Sequence, residues 1–221
     1  MTLEPLLQAS ALVLSVVNGV MLCRNYVRDR PRLSVVPIHP ESYQWWFRLP
    51  DGTTAEHSMT RRFGFLAYMS VLNRGLRAVA LESWSLELRS AQGVRGTLLP
   101  LSMPSEPEVA LGSSKKVFPV LGQKGPIHEG STRVEPGDET TGMALFVYEC
   151  FGSTGFDPAM VGDTITAKFC VRHIFGGAAS CAVVFRQRPF DSVRTMLPDL
   201  EGMVKQIDSQ REERGGQKTS G

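Results

Sequence analysis

Residues 163–187 read DTITAKFCVRHIFGGAASCAVVFRQ. Apolar and polar side chains alternate from Asp163 to Ile174 and again from Ala179 to Gln187, with Gly176-Gly177 between the two runs. Alternation at period two marks a strand with one buried face, and a Gly pair at the join supplies the backbone freedom a tight turn needs. This is the clearest hairpin in the chain, and it sets the reading of what flanks it.

Toward the N-terminus the same kind of segment recurs. Thr141–Cys150 (TGMALFVYEC) is a strand entered from the turn Val134-Glu135-Pro136-Gly137-Asp138, and Val94–Leu101 (VRGTLLPL) follows a turn at Gln92-Gly93. Arg77–Leu88 changes parity: Val79 and Leu81 are odd, whereas Trp84, Leu86 and Leu88 are even. A β-bulge near Glu82-Ser83 returns both sets to one face. Phe63–Leu72 precedes it across the turn Asn73-Arg74-Gly75, and Tyr43–Leu49 (YQWWFRL) comes earlier, closed by Asp51-Gly52. Trp45 and Trp46 fall on opposite faces of that strand, one for the core and one for the outside. Leu33–Val36 forms a short extended run. Ser102–Gly130 is rich in Pro, Gly and Ser, with only Val117–Leu121 reading as a strand, and Phe151–Gly162 reads as loop.

Past the hairpin, Leu197, Leu200, Met203, Val204 and Ile207 recur at helical spacing behind Pro198. They predict a short amphipathic helix against the β domain, weakened by Gly202. After Gln210 the run REERGGQKTSG is expected to be disordered. Strands spaced by turn signals without α/β alternation predict an all-β fold, an immunoglobulin-like β-sandwich. The division expected is 1–30 for an anchor and its basic flank, 31–190 for the sandwich, and 191–221 for the short helix and tail.

Three strings carry a family likeness: VLNRG at 71–75, VALESW at 79–84, and VEPGD at 134–138 followed by GMALF at 142–146. Behind an N-terminal apolar helix, they resemble the immunoglobulin- or fibronectin-like domains of uncharacterised bacterial membrane proteins. The resemblance covers about residues 32–188 and rests on turn spacing; the Cys…Trp…Cys of antibody-type domains is missing. It implies the sandwich fold and, for most relatives, no established activity.

The anchor is Leu6–Cys23, LLQASALVLSVVNGVMLC, 18 residues without a charge. At about 1.5 Å of rise per residue it spans roughly 27 Å, close to a hydrocarbon core of about 30 Å. A secretory signal wants a basic start and a small-x-small cleavage site closing the apolar run, and neither is found at those places; a buried core helix is the other rival. Arg24, Arg28, Arg30 and Arg32 follow with one Asp among them, whereas Glu4 sits on the other flank. The positive-inside rule places the arginines, and with them the β domain, in the cytosol at the cell membrane. Ala11, Ser15 and Gly19 repeat every four residues, with Gln8 and Asn18 near the same side, a pattern that lets two such helices approach and self-associate.

Net charge is +2, so nothing here predicts a nucleic-acid partner. Arg61-Arg62 and Lys115-Lys116 read as solvated edges. Cys23, Cys150, Cys170 and Cys181 form no C-x-x-C and are expected to be free thiols, with Cys170 and Cys181 near neighbours across the hairpin. His39, His57, His128 and His173 have no metal-ligand spacing. Glu56-His57-Ser58 are neighbours that point apart rather than a converging triad, and His173 reads as an exposed hairpin residue. Asp157, Asp163 and Asp191 fall in segments that would have to gather at one end to hold calcium. Gly152-Ser153-Thr154-Gly155 lacks the Lys of a phosphate loop. No catalytic, cofactor-binding or metal-ligating residue is expected. The function expected is a single-pass, membrane-anchored binding or scaffolding module with a protein partner. The alternatives are a membrane-attached hydrolase built from dispersed His, Asp and Cys residues, and an exported domain anchored in the opposite sense.

Overall fold

Leu3–Arg28 forms a 26-residue helix, α1, which tolerates Pro5 because that residue lies in the first turn, where its missing N–H has no helical partner. The coordinates, a computed structural model, describe residues 3–52, 60–103, 106–121, 133–151, 157–200 and 202. From Ser10 to Arg28 every residue of α1 is exposed, at a mean hydropathy of 1.3. The buried-core-helix rival therefore falls, and α1 is a helix long and apolar enough to cross a membrane. Ala11, Ser15 and Gly19 lie on its open surface, and Arg24, Arg28, Arg30 and Arg32 are all exposed around its exit.

The rest is mostly β. In chain order the strands are β1 (Leu33–Pro37), β2 (Trp45–Gly52), β3 (Thr60–Asn73), β4 (Val79–Arg89), β5 (Arg95–Leu98), β6 (Pro100–Leu101), β7 (Glu108–Leu111), β8 (Ser114–Val117), β9 (Arg133–Val134), β10 (Glu139–Phe151), β11 (Met160–Val161), β12 (Thr164–His173) and β13 (Ala178–Gln187). Strand β3 is the spine. One edge pairs with β10 from Glu139↔Leu72 to Phe151↔Thr60. The other carries β1 and β2 end to end. A second group sets β4 against β12 and β12 against β13. The two groups join where β13 meets β2 in a short parallel contact, Arg186↔Trp45 and Gln187↔Trp46.

The groups face each other across a core in which Phe65 meets Phe185 at 5.4 Å and Phe146 meets Phe169 at 6.0 Å, ring to ring. Odd residues of β3 and even residues of β10 fill this core. Their other faces are buried too. Phe47, Leu49, Leu66, Met143 and Leu145 lie under a cap made by Met103, Phe118, Val120 and the helix α2, Phe190–Met196. Burial on both sides explains why FGFLAYMSVL and TGMALFVYEC run almost continuously apolar, whereas β12 and β13, with one face in solvent, alternate.

Several expectations need correction. Val94–Leu101 is two strands, because the chain passes at exposed Leu99 from β4 to the edge of β10. Glu108–Val117 is a hairpin, β7–β8, around Gly112 at φ 62°, and Phe118–Leu121 is an irregular segment rather than a strand. Asp51-Gly52 belongs to β2. Of the two tryptophans Trp46 is the core one, but Trp45 is half-buried rather than exposed, beneath the Arg188 guanidinium, 5.4 Å from the ring centre. A helix precedes Pro198, namely α2; Leu197 and Leu200 are buried behind it, and residues 200 and 202 are helical. Met203, Val204, Ile207 and the tail after Gln210 lie outside the described residues.

Candidate functional site

The exit of α1 meets the β domain at one end, and three turns assemble there. Asn73 organises them. Wholly buried at the end of β3, it donates from Nδ2 to the carbonyls of Arg77 (2.7 Å) and Val134 (3.0 Å), and its Oδ1 accepts from the Gly75 N–H (2.9 Å). Its own N–H donates to Asp138 O, and its carbonyl accepts from Gly137 N–H. One amide side chain thus ties the 73–77 turn to the 134–138 turn, so VLNRG and VEPGD meet in space. Arg74 N–H donates to Arg32 O at 2.7 Å, which docks the first turn against the chain leaving α1. A Cβ at Gly75 would sit 3.0 Å from Arg32 N, so the close approach favours glycine there.

The third turn is the β12–β13 tip. His173, 7% exposed, is buried rather than at the surface, because Gly177 lets the imidazole lie against the backbone: a Cβ there would come 2.8 Å from Cε1. Nδ1 accepts from Phe175 N–H at 3.2 Å. Burial lowers the pKa of the ring, opposed by the nearby charge of Glu82. The expected bulge is here as well: Arg172 pairs with Ser83 and His173 with Leu81, passing over Glu82, so Leu81 and Leu86 both reach the core.

Between α1's exit and this tip lies a cleft of about 500 Å³ lined by Tyr26, Asp29, Arg30, Arg77, His173 and Phe175, among others. Arg30 stacks 5.0 Å over Tyr26, and Arg77 lies 5.9 Å from the Phe175 ring centre. Asp29 is engaged by Arg28 at 3.4 Å. Around the mouth Leu76, Ile174 and Phe175 are 59%, 56% and 52% exposed, and Arg30, Arg32, Arg74 and Arg77 are exposed beside them. The surface is therefore cationic and apolar together. It suits an anionic group with an apolar body.

The other titratable groups sit elsewhere. Arg61 and Arg62 are not solvated: Arg61 pairs with Asp157, and Arg62 with Glu149 at 3.4 Å in a nearly sealed position. Burial pushes the Tyr148 phenol up to about 12 and the Cys150 thiol up to about 11. Cys181 is likewise raised by burial to about 11. Cys170 pairs in register with Ser180, and Cys181 with Phe169, so the two thiols take opposite faces of the hairpin and both are free. Cys170 Sγ lies 3.4 Å from Glu87, whose carboxyl is held below its ordinary value by that contact and by Lys168. Thiols raised in this way are weak nucleophiles near neutral pH.

Asp163 offers its main-chain carbonyl to Trp46 Nε1, Asp157 is paired as above, and Asp191 lies 4.0 Å from Arg194. No group of three or more His, Cys, Asp or Glu able to hold a metal occurs among the described residues. His39 holds a turn at φ 46° with its ring against Tyr43; His57 and His128, like Gly152–Gly155, lie outside the described residues. Sequence reasoning found the arginines of the α1 flank. It missed Leu76 and Phe175, which carry no signal of their own, and Arg77, which reads as the first residue of a strand until the turns are brought together.

No protein-family model and no curated protein matches the chain. Among solved structures it is similar to a structural-genomics protein designated SoR45, at 11% identity over 73% of this chain and 88% of that one, with a TM-score of 0.30. The putative ApaA protein from Bordetella pertussis follows at 10% identity, 72% and 96% coverage and a TM-score of 0.29. A FixG-related protein from Vibrio parahaemolyticus stands at 12%, 72% and 98%, with 0.27.

Proposed function

We propose that this is a single-pass membrane protein whose immunoglobulin-like β-sandwich faces the cytosol and serves as a binding or scaffolding module at the membrane. The observation that supports it is α1: an apolar helix exposed from Ser10 to Arg28, carrying Arg24 and Arg28 in its last turns and followed by Arg30, Arg32 and then β1. An apolar helix of that length in water is costly, and lipid removes the cost. The charge asymmetry favours a cytosolic domain. The thiols of Cys150 and Cys181, raised by burial, are poorly suited to act as nucleophiles.

The test is a pair of reporters fused to the C-terminus of the full chain in a bacterial host. Alkaline phosphatase needs an oxidising compartment for its disulfides, whereas a green fluorescent reporter exported unfolded stays dark. A fluorescent fusion with inactive phosphatase is expected. The opposite pair overturns the orientation, and release of the chain by carbonate overturns the anchor. Changing Arg24, Arg28, Arg30 and Arg32 to Asn should erode the orientation if these charges set it.

A further inference from the structure

We infer that the end of the β domain beside α1 is itself a lipid-binding site, which takes an anionic phospholipid headgroup in the α1–β domain cleft while its turn tips enter the interfacial layer. The inference rests on the reading that α1 spans a membrane, and it adds a site that α1 does not need in order to anchor. Three observations carry it. The chain from Arg28 to Arg32 reaches at most about 14 Å even fully extended, and Arg74 N–H is bonded to Arg32 O, so the tips are held close to where α1 leaves the bilayer. Leu76, Ile174 and Phe175, each more than half exposed, come from two different turns yet stand at the same end of the domain. Apolar side chains on a helix-proximal tip are stabilised in the headgroup–acyl boundary and not in water. Lastly, Arg30 and Arg77 both line the cleft and Arg74 is exposed on the adjoining turn, while the lining carboxylate, Asp29, is engaged by Arg28.

Guanidinium groups are suited to phosphate because they offer paired N–H donors in one plane. Arg77 lies over the Phe175 ring, so cation and apolar body are presented as one unit. A lipid offers the matching pair, phosphate above and acyl chain below. A soluble protein partner would have to share this end with the bilayer a few residues away.

The experiment uses the full chain in nanodiscs, either of phosphatidylcholine alone or with phosphatidylglycerol added, and follows amide hydrogen exchange at 74–77 and 174–177. Exchange there should be slower by about tenfold in the anionic discs than in the neutral ones, and the difference should shrink as salt rises. Arg77→Gln should remove most of the difference, and Phe175→Ser should speed exchange in both lipids. Both side chains are exposed, so neither change should disturb the fold, and both leave Arg24, Arg28, Arg30 and Arg32 in place. Equal exchange in the two lipids, or a difference that Arg77→Gln leaves intact, overturns the inference while the anchor stands. Tips that slow only when a soluble protein is added overturn it in favour of a protein surface. Carbonate extraction of the same chain from membranes separates these outcomes from failure of the anchor, since an extractable chain fails on α1 itself.

Discussion

The side chain of Gln44 stands in for a strand residue opposite Tyr68. Its Nε2 donates to Tyr68 O at 2.8 Å and to Ile38 O at 3.0 Å, and its Oε1 accepts from Tyr68 N–H at 3.1 Å. Strand β1 pairs with β3 from Met69 onward and β2 pairs with it only up to Leu66, so a gap opens between them at Tyr68. Gln44, 1% exposed, closes it. Ile38 N–H also reaches Tyr68 O, so the group that depends wholly on Gln44 is the Tyr68 N–H.

Gln44→Met keeps the volume and removes both donor and acceptor. A buried N–H left without a partner costs about 1–3 kcal/mol, and the midpoint of urea unfolding should fall accordingly. Gln44→Glu keeps the acceptor and loses the donors, so it should destabilise as well, less severely at low pH where the carboxyl is protonated. A midpoint unchanged in both variants would remove Gln44 from the account of this edge.

Gly142 is held by a different constraint. It has no positive φ, but a Cβ there would lie 2.5 Å from Leu121 Cα and 2.7 Å from the Val120 carbonyl carbon. The segment 119–121 runs alongside β10 here in a parallel bridge, bonded by Leu121 N–H to Met143 O and by Met143 N–H to Pro119 O, both 2.8 Å. The atoms nearest that Cβ are all main chain of one segment, which cannot swing aside as a side chain would. Gly142→Ala should cost about 1–3 kcal/mol and loosen the cap over Phe118 and Val120, read as faster exchange of the Leu121 and Met143 amides.

These two residues show where sequence reasoning stops. The bulge at Glu82 was legible because it leaves a parity change in the apolar pattern, and the β12–β13 hairpin because its faces alternate. Gln44, Gly142 and the burial of His173 depend on approach between segments far apart in the chain, and no local pattern records that. The doublet Arg61-Arg62 misled for the same reason: adjacent charges look solvated until Asp157 and Glu149 arrive from elsewhere. The cap of Met103, Phe118, Val120 and α2 escaped because helix and irregular segment both cover β3 and β10, although the unbroken apolar runs of these strands already signalled burial on two faces. At the candidate site the arginines of the α1 flank were visible, while the turn residues that complete the surface were not.

Gly19 concerns the exposed helix. Nothing lies within 4 Å of a Cβ built there, so a larger residue costs the monomer nothing in sterics. With Ala11 and Ser15 it forms a small-residue stripe on which a second copy can pack closely in lipid. Gly19→Ile should then lower the cross-linked dimer fraction in detergent severalfold and leave the β domain's unfolding midpoint unchanged. No dimer in the parent chain, or the same fraction in both, would dispose of the stripe as an interface.

His173 gives the β domain a pH dependence with a definite sign. Its folded pKa is lowered, chiefly by burial, so the unfolded chain binds a proton more readily near the ordinary value of 6.5. Stability is fully present above about pH 6.5 and is lost as pH falls from there toward the folded pKa. Protonation also converts Nδ1 from acceptor to donor, facing the Phe175 N–H it now accepts from. Glu82 works against the shift, and Arg77 lines the same cleft as the ring. Urea unfolding of the full chain in detergent should therefore show a falling midpoint between pH 7 and 5. In His173→Gln, which cannot titrate, the slope should flatten in that window even though the variant starts less stable, because the Phe175 N–H loses its imidazole acceptor. A variant that keeps the parent's slope would assign the pH dependence to carboxylates instead, and the tip would then hold its shape whether or not the ring is charged.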